Sequence, residues 1–266
     1  KAAYQLYSQQ PREELCKTMR QVLEVDPGNE TALRELLQYY AEKNDDKGVE
    51  DISRRGLNYH PEEIAYAYYL GMALAEQKKL TDATEVLQQG LRVRTEFVSE
   101  RLLSNVFGVL GDIYYQQGKE LEAFAAYDSS LVYMEDNIMC LNNYAYYLSL
   151  KGEQLDRAEE MSYRTIRQEP ENITYLDTYA WILFMKKDYA HARTYMDKVV
   201  NPEKTDEELL ADEKLMGNLI EHAGDIYAHL DEPETALRFW KLAKQKGDDT
   251  CTPQLKKKIK RKKYIK

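Results

Sequence analysis

The sequence predicts an all-α protein built as a stack of short helix pairs, and three observations predict it. One marker position reads Leu37, Gly71, Gly111, Ala145, Ala180 and Gly224, with spacings of 34, 40, 34, 35 and 44 residues. A second reads Val49, Ala83, Ala123, Ala158, Ala192 and Ala236, with spacings of 34, 40, 35, 34 and 44, so two independent markers keep step. Third, only 12 Gly and 7 Pro in 266 residues leave too few breakers for a loop-rich chain, while 43% apolar residues suffice for a core.

Taken in order, the periods divide the chain into a partial unit at about 1–29 and full units at about 30–63, 64–97, 98–137, 138–172, 173–206 and 207–247. A basic capping helix is expected at 248–266. Pro27 and Pro61 are 34 apart, and Pro170 holds the equivalent place later, just after a helix that proline cannot continue. The first unit lacks a clear first helix, and the next is degenerate, with Val49, Ser53 and Gly56 at its marker positions. Gly118, Gly152 and the region of Asp188 punctuate turns between paired helices. About six extra residues around "TEFVSERLLS" and about ten in "NPEKTDEELLADEKLMGN" interrupt the period; both have helical composition and predict longer first helices or an added turn.

Two short amphipathic helices cannot bury their apolar stripes alone, so stacked pairs share a continuous core, with small residues where helices cross. The stretches "YYLGMAL" with Ala83, "VLGDIYY" with Ala123 and Tyr127, "NYAYYL" with Ala158, "TYAWIL" with Ala192, and "HAGDIYAHL" with Ala236 and Trp240 carry a resemblance. The chain resembles the tetratricopeptide repeat family over almost its whole length, and is most similar to bacterial multi-repeat members. The resemblance implies a right-handed α-α superhelical solenoid whose first helices line a concave groove that binds protein segments.

The fifth unit, "LNNYAYYLSLKG", shows how faces are assigned. At 100° per residue, Leu141, Tyr144, Ala145 and Leu148 form one stripe and are expected to pack inward. Met139, Asn142, Tyr146 and Ser149 cluster about 140° away. By resemblance Asn142 and Tyr146 face the groove, with Asn143 and Tyr147 flanking it. The same phase gives Tyr68, Tyr69 and Met72 in the third unit, Asn105, Asp112 and Tyr115 in the fourth, Asp177, Trp181 and Phe184 in the sixth, and Glu221, His222 and Asp225 in the seventh. The expected groove is aromatic in the middle and acidic along its length, against the plainer reading that its aromatics fill space between repeats. Arg34 is the one basic residue at these positions, so the carboxylate clamp that some members of the family use is not expected.

The charge is uneven. "KKKIKRKKYIK", residues 256–266, holds eight basic residues and no acidic one, leaving 29 Lys+Arg against 46 Asp+Glu elsewhere. The expected partner is therefore a protein or peptide with apolar anchors and net positive charge, and nucleic acid is disfavoured. The alternative is binding of nucleic acid or an anionic membrane through the basic tail. The favoured reading makes the tail a cap, with Leu255 and Ile259 covering the last repeat and its lysines solvated.

Chemistry is sparse. "GDIYYQQGK" fails phosphate-loop spacing, and His222 and His229 lack a third ligand of metal-site spacing and read as solvated helix positions. Cys16, Cys140 and Cys251 are too far apart for a zinc or disulfide pattern. No nucleophile context, cofactor motif or catalytic pair emerges, so the chain is expected not to be an enzyme and to need no cofactor. No apolar run approaches the ~18 residues of a membrane span. The chain begins with Lys1, so an N-terminal segment is expected to have been removed. The resemblance is compatible with the bacterial periplasm or envelope, slightly favoured, and with the cytoplasm. Oligomeric state stays open.

Overall fold

The computed structural model describes residues 12–265, so the part of the first unit that falls on residues 1–11 lies outside the described residues. Every regular element among the described residues is a helix. The chain divides between Asn137 and Ile138 into two compact units.

Unit 1 contains α1 (Arg12–Val25), α2 (Glu30–Glu42), α3 (Asp46–Tyr59), α4 (Ile64–Glu76), α5 (Leu80–Val93), α6 (Glu100–Gln116) and α7 (Glu120–Tyr133). Unit 2 contains α8 (Ile138–Lys151), α9 (Leu155–Gln168), α10 (Ile173–Met185), α11 (Tyr189–Val200), α12 (Asp206–Ala211), α13 (Gly217–Ala228), α14 (Pro233–Lys246) and α15 (Leu255–Arg261). Within each unit, first and second helices pair antiparallel and each pair stacks on the next, as in an α-solenoid. The two interruptions of the period differ in outcome. The first lengthens α6 to 17 residues, whereas the second folds as the six-residue α12, started by a Thr205–Glu208 capping box.

The markers have a steric cause. A Cβ on Gly71 would stand 2.6 Å from Leu87, on Gly111 2.5 Å from Tyr127, and on Gly224 2.4 Å from Trp240. The large partner always lies sixteen residues on, across the pair. At the same offset from Leu37 stands Ser53, and both are buried, so the large and small members have changed places in the degenerate unit. The second marker is equally interior: Ala83, Ala123, Ala158, Ala192 and Ala236 are fully buried. Each large crossing side chain contributes roughly 1.5–3 kcal/mol by burial.

A second regularity fixes the turns. Seven residues after each first marker the backbone is left-handed, at Asn44, Lys78, Gly118, Lys187 and Asp231 as well as Gly152. The residue that follows donates its N–H five residues back, as Lys119 does to Tyr114 and Asp188 to Leu183, closing the end of the first helix. Two of the six turns use glycine. Lys78 and Lys187 hold the strained conformation with no help from their side-chain type.

Candidate functional site

On the first helices of unit 1, Tyr68 and Tyr69 meet edge to face at 5.3 Å, both partly exposed, and Met72 is exposed one turn on. Burial raises the Tyr68 phenol above its usual pKa. On α6, Asn105 accepts from Asn137 Nδ2 at 3.2 Å and Asp112 accepts from the Tyr127 hydroxyl, while Tyr115 is partly exposed. Asn105 thus joins a buried polar cluster in which Asn137 also donates to Ser104 Oγ at 2.8 Å and Ser130 donates to the Ser104 carbonyl at 2.8 Å. The side of α6 that was expected to meet a ligand also holds its own helix pair together.

Unit 2 treats the same phase differently. On α8 the inward stripe of Leu141, Tyr144, Ala145 and Leu148 is buried, and Arg157 lies over the Tyr144 ring at 4.7 Å. Of the opposite stripe, Met139 is exposed and Tyr146 partly exposed, but Asn142 and Ser149 are buried. Asn142 donates to Asn143 at 3.2 Å. On α10 and α13 the expected acidic groove is closed. Asp177 meets His222 Nδ1 at 2.9 Å, and Trp181 stacks on the His222 ring at 4.1 Å and on Phe184 at 4.8 Å. Glu221 and Asp225 receive the Lys258 ammonium at 2.7 and 2.6 Å, every member of that trio being almost fully buried. Tyr264 closes over Phe184 and His229 at 5.6 and 4.8 Å.

Electrostatics follow from the burial. Desolvation works against a charged His222, but Asp177, with Asp225 and Glu221 behind it, prevails and raises its pKa. Desolvation raises Asp225, opposed by Lys258, His222 and the Trp240 indole N–H. Burial pushes the Tyr264 phenol and the Cys251 thiol each up to about 12. Among the described residues no group of His, Cys, Asp and Glu is placed to hold a metal ion, and no helix is long and apolar enough to cross a membrane.

No family model and no curated protein matches this chain. Solved structures do. A tetratricopeptide repeat protein from Parabacteroides merdae ATCC 43184 is 16% identical and superposes with a TM-score of 0.63 over 98% of this chain and 96% of its own. The fold is that of the tetratricopeptide repeat. A chain of the APC/C hetero-tetramer Cut9–Hcn1 is 15% identical, with a TM-score of 0.68 over 98% of this chain and 48% of that one. YrrB, described as a TPR protein with an unusual peptide-binding site, is 14% identical, with a TM-score of 0.52 over 75% of this chain and 96% of its own.

On that fold several expected groove residues change role. Asp177, Glu221 and Asp225 are buried and ion-paired, Trp181 and Phe184 belong to the core of unit 2, and Asn142 is buried. Other parts of the chain lie over this phase in unit 2. His222 is interior rather than solvated, and Lys258 leaves its solvated neighbours to neutralise two carboxylates that would otherwise be too costly to bury. Leu255 is buried in the unit 2 core and Ile259 is partly buried against it. Periodicity gave no sign of another feature, an open concavity of about 610 Å³ between α3 and α5, lined by Leu57, Pro61, Val86 and Val93.

Proposed function

We propose that the chain is a non-catalytic scaffold that binds a peptide or protein segment on its first-helix surface. In unit 1 the contact residues are Tyr68, Tyr69, Met72, Asp112 and Tyr115; in unit 2 they are Asn143 and Tyr146 on α8. The observation that carries this reading is the edge-to-face tyrosine pair on α4, with Met72 exposed beside it. Tyrosine offers a large contact area at a small cost in side-chain entropy, and a recurring aromatic phase on an otherwise charged surface suits an anchor-and-pocket ligand. The excess of 46 acidic over 37 basic residues favours a partner of net positive charge and an association that salt weakens. The peptide-binding site ascribed to YrrB and the Cut9–Hcn1 assembly lend the same fold to this use in other proteins. The alternative, a nucleic-acid or membrane contact through the basic tail, is weakened because Lys258 is spent on an internal pair.

The test is capture from the native extract on immobilised chain, compared with a Tyr68→Ala/Tyr115→Ala variant. Retained proteins should be lost, with an affinity drop of ~2 kcal/mol or more, while helical content stays nearly unchanged. Equal retention by both forms would contradict the proposal.

A further inference from the structure

The best-formed ligand contact in the molecule is made by the chain to itself. The Lys258 ammonium sits between Glu221 Oε1 and Asp225 Oδ2, and the Tyr264 ring lies 5.4 Å from its Nζ on another side. Six residues along the segment, Tyr264 fills a second seat against Phe184 and His229, whose ring Tyr189 approaches at 4.6 Å. The surface therefore reads one cation and one aromatic side chain at a fixed separation.

The segment that occupies these seats has little structure of its own. Helix α15 has seven residues, its N-cap Gln254 makes no side-chain cap bond, and Lys256 and Lys257 stand in a first turn where the helix dipole disfavours positive charge. Lys256, Lys257, Lys260, Arg261, Lys262 and Lys263 are exposed and repel one another. The receptor is held independently. Trp240 Nε1 donates to Asp225 at 2.9 Å, the Thr252 amide donates to Glu221 at 2.7 Å, and Asp248 and Thr250 accept from the first amides of α13 at 2.7 and 2.9 Å. If α15 leaves, the loop before it and both carboxylates remain in place, now hydrated.

We propose that residues 255–265 are a displaceable intramolecular ligand, and that the seats on α10 and α13 take in their place a lysine and an aromatic side chain of a basic partner segment. The segment's own chemistry defines the partner: net positive, with a lysine and an aromatic residue six positions apart. This goes beyond the function proposed above and does not depend on it, since the tyrosine face of unit 1 can bind or fail to bind without altering these seats.

The experiment uses the full chain, wild type and Lys258→Ala/Tyr264→Ala, titrated at low salt with a fluorescent peptide that copies residues 253–266. A control peptide carries the same two substitutions. The copy should bind the substituted chain about tenfold or more tighter than the wild type, whose seats are filled, and about tenfold or more tighter than the control peptide binds. Equal binding of both peptides would reduce the contact to unspecific charge and overturn the proposal, as would failure of the copy to bind the folded variant. Should the variant not fold by circular dichroism, hydrogen exchange on the wild type decides. Amides of α15 exchanging about tenfold or more faster than those of α13 and α14 would support displacement, and equal protection would make the segment a permanent part of the core. A concentration-dependent wild-type dimer in sedimentation would assign the seats to a second copy and overturn the partner claim.

Discussion

One helical phase serves opposite purposes on α4 of unit 1 and on α10 and α13 of unit 2. In unit 1 it leaves Tyr68, Tyr69 and Tyr115 partly exposed and Met72 exposed; in unit 2 it carries Asp177, Trp181, Phe184, Glu221 and Asp225 into the interior. Both units have a glycine facing a large side chain sixteen residues on, and a left-handed residue at the turn after the first helix of each pair. What differs is the cover: in unit 2 the phase meets His222 of the next first helix and Lys258 of α15. A repeat position is thus a location on a helix, and its exposure is decided by what the rest of the chain lays across it. Burying carboxylates is tolerable there only because each meets a base, Asp177 with His222 and the Glu221–Asp225 pair with Lys258.

The comparison breaks first if the crossings are not equivalent. Tyr127→Ala in unit 1 and Trp240→Ala in unit 2 remove fully buried rings at the same offset, and each should cost ~3–5 kcal/mol by denaturant melting. A small loss at either site would mean that the two pairs do not cross alike.

The buried pairs give the next contrast. His222→Ala strips Asp177 of its partner and should cost ~3 kcal/mol, whereas Asp112→Ala, on the partly exposed face of unit 1, should cost ~1 kcal/mol. The pH dependence carries a sign. His222 has its folded pKa raised, so its contribution is fully present below the unfolded value of about 6.5 and is lost as pH rises through the folded value. Asp225, raised chiefly by burial and opposed by Lys258, acts in the same direction. Unit 2 should therefore gain stability on acidification through the raised folded pKa of His222 toward 6.5, and His222→Gln should flatten that slope, as thermal melts will show.

Deleting residues 254–266 should lower stability by ~1–2 kcal/mol in unit 2 alone, the lost burial of Leu255 being offset by rehydration of Glu221 and Asp225. The smallest effect belongs to the turns. Lys78→Gly and Lys187→Gly relieve a left-handed lysine in unit 1 and unit 2 respectively, and each should raise stability by up to ~1 kcal/mol. A loss at one turn only would show that its lysine contributes more than backbone.

Much of this was legible in the chain. Spacing and residue size located the helix pairs because two helices can cross closely only over a small side chain, and that requirement is local and periodic. The degeneracy of the markers in residues 30–63 was readable but not the size exchange of Leu37 and Ser53, and of the two outcomes expected of "TEFVSERLLS", a longer helix or an added turn, the structure has the longer helix. The site was less legible because its character is set by residues far away. Glu221 and Lys258 are 37 positions apart and Asp177 and His222 45, so nothing near Glu221 or Asp177 announces a partner. Charge counting did contain a hint. An acidic helix face and a basic tail were both visible, and the ligand expected for the groove, with apolar anchors and net positive charge, shares its charge with the chain's own C-terminal segment.

Tyr68, Tyr69 and Met72 lie open on α4, whereas Phe184 and His229 lie under Tyr264 of the chain's own tail, and hydroxyl-radical footprinting tests that contrast most directly. In the full chain Met72, Tyr68 and Tyr69 should oxidise readily while Phe184 and His229 are protected. After deletion of residues 254–266, Phe184 and His229 should become reactive and the unit 1 residues should not change. Phe184 and His229 as reactive as Tyr68 in the full chain, or as protected after the deletion as before it, would contradict the account.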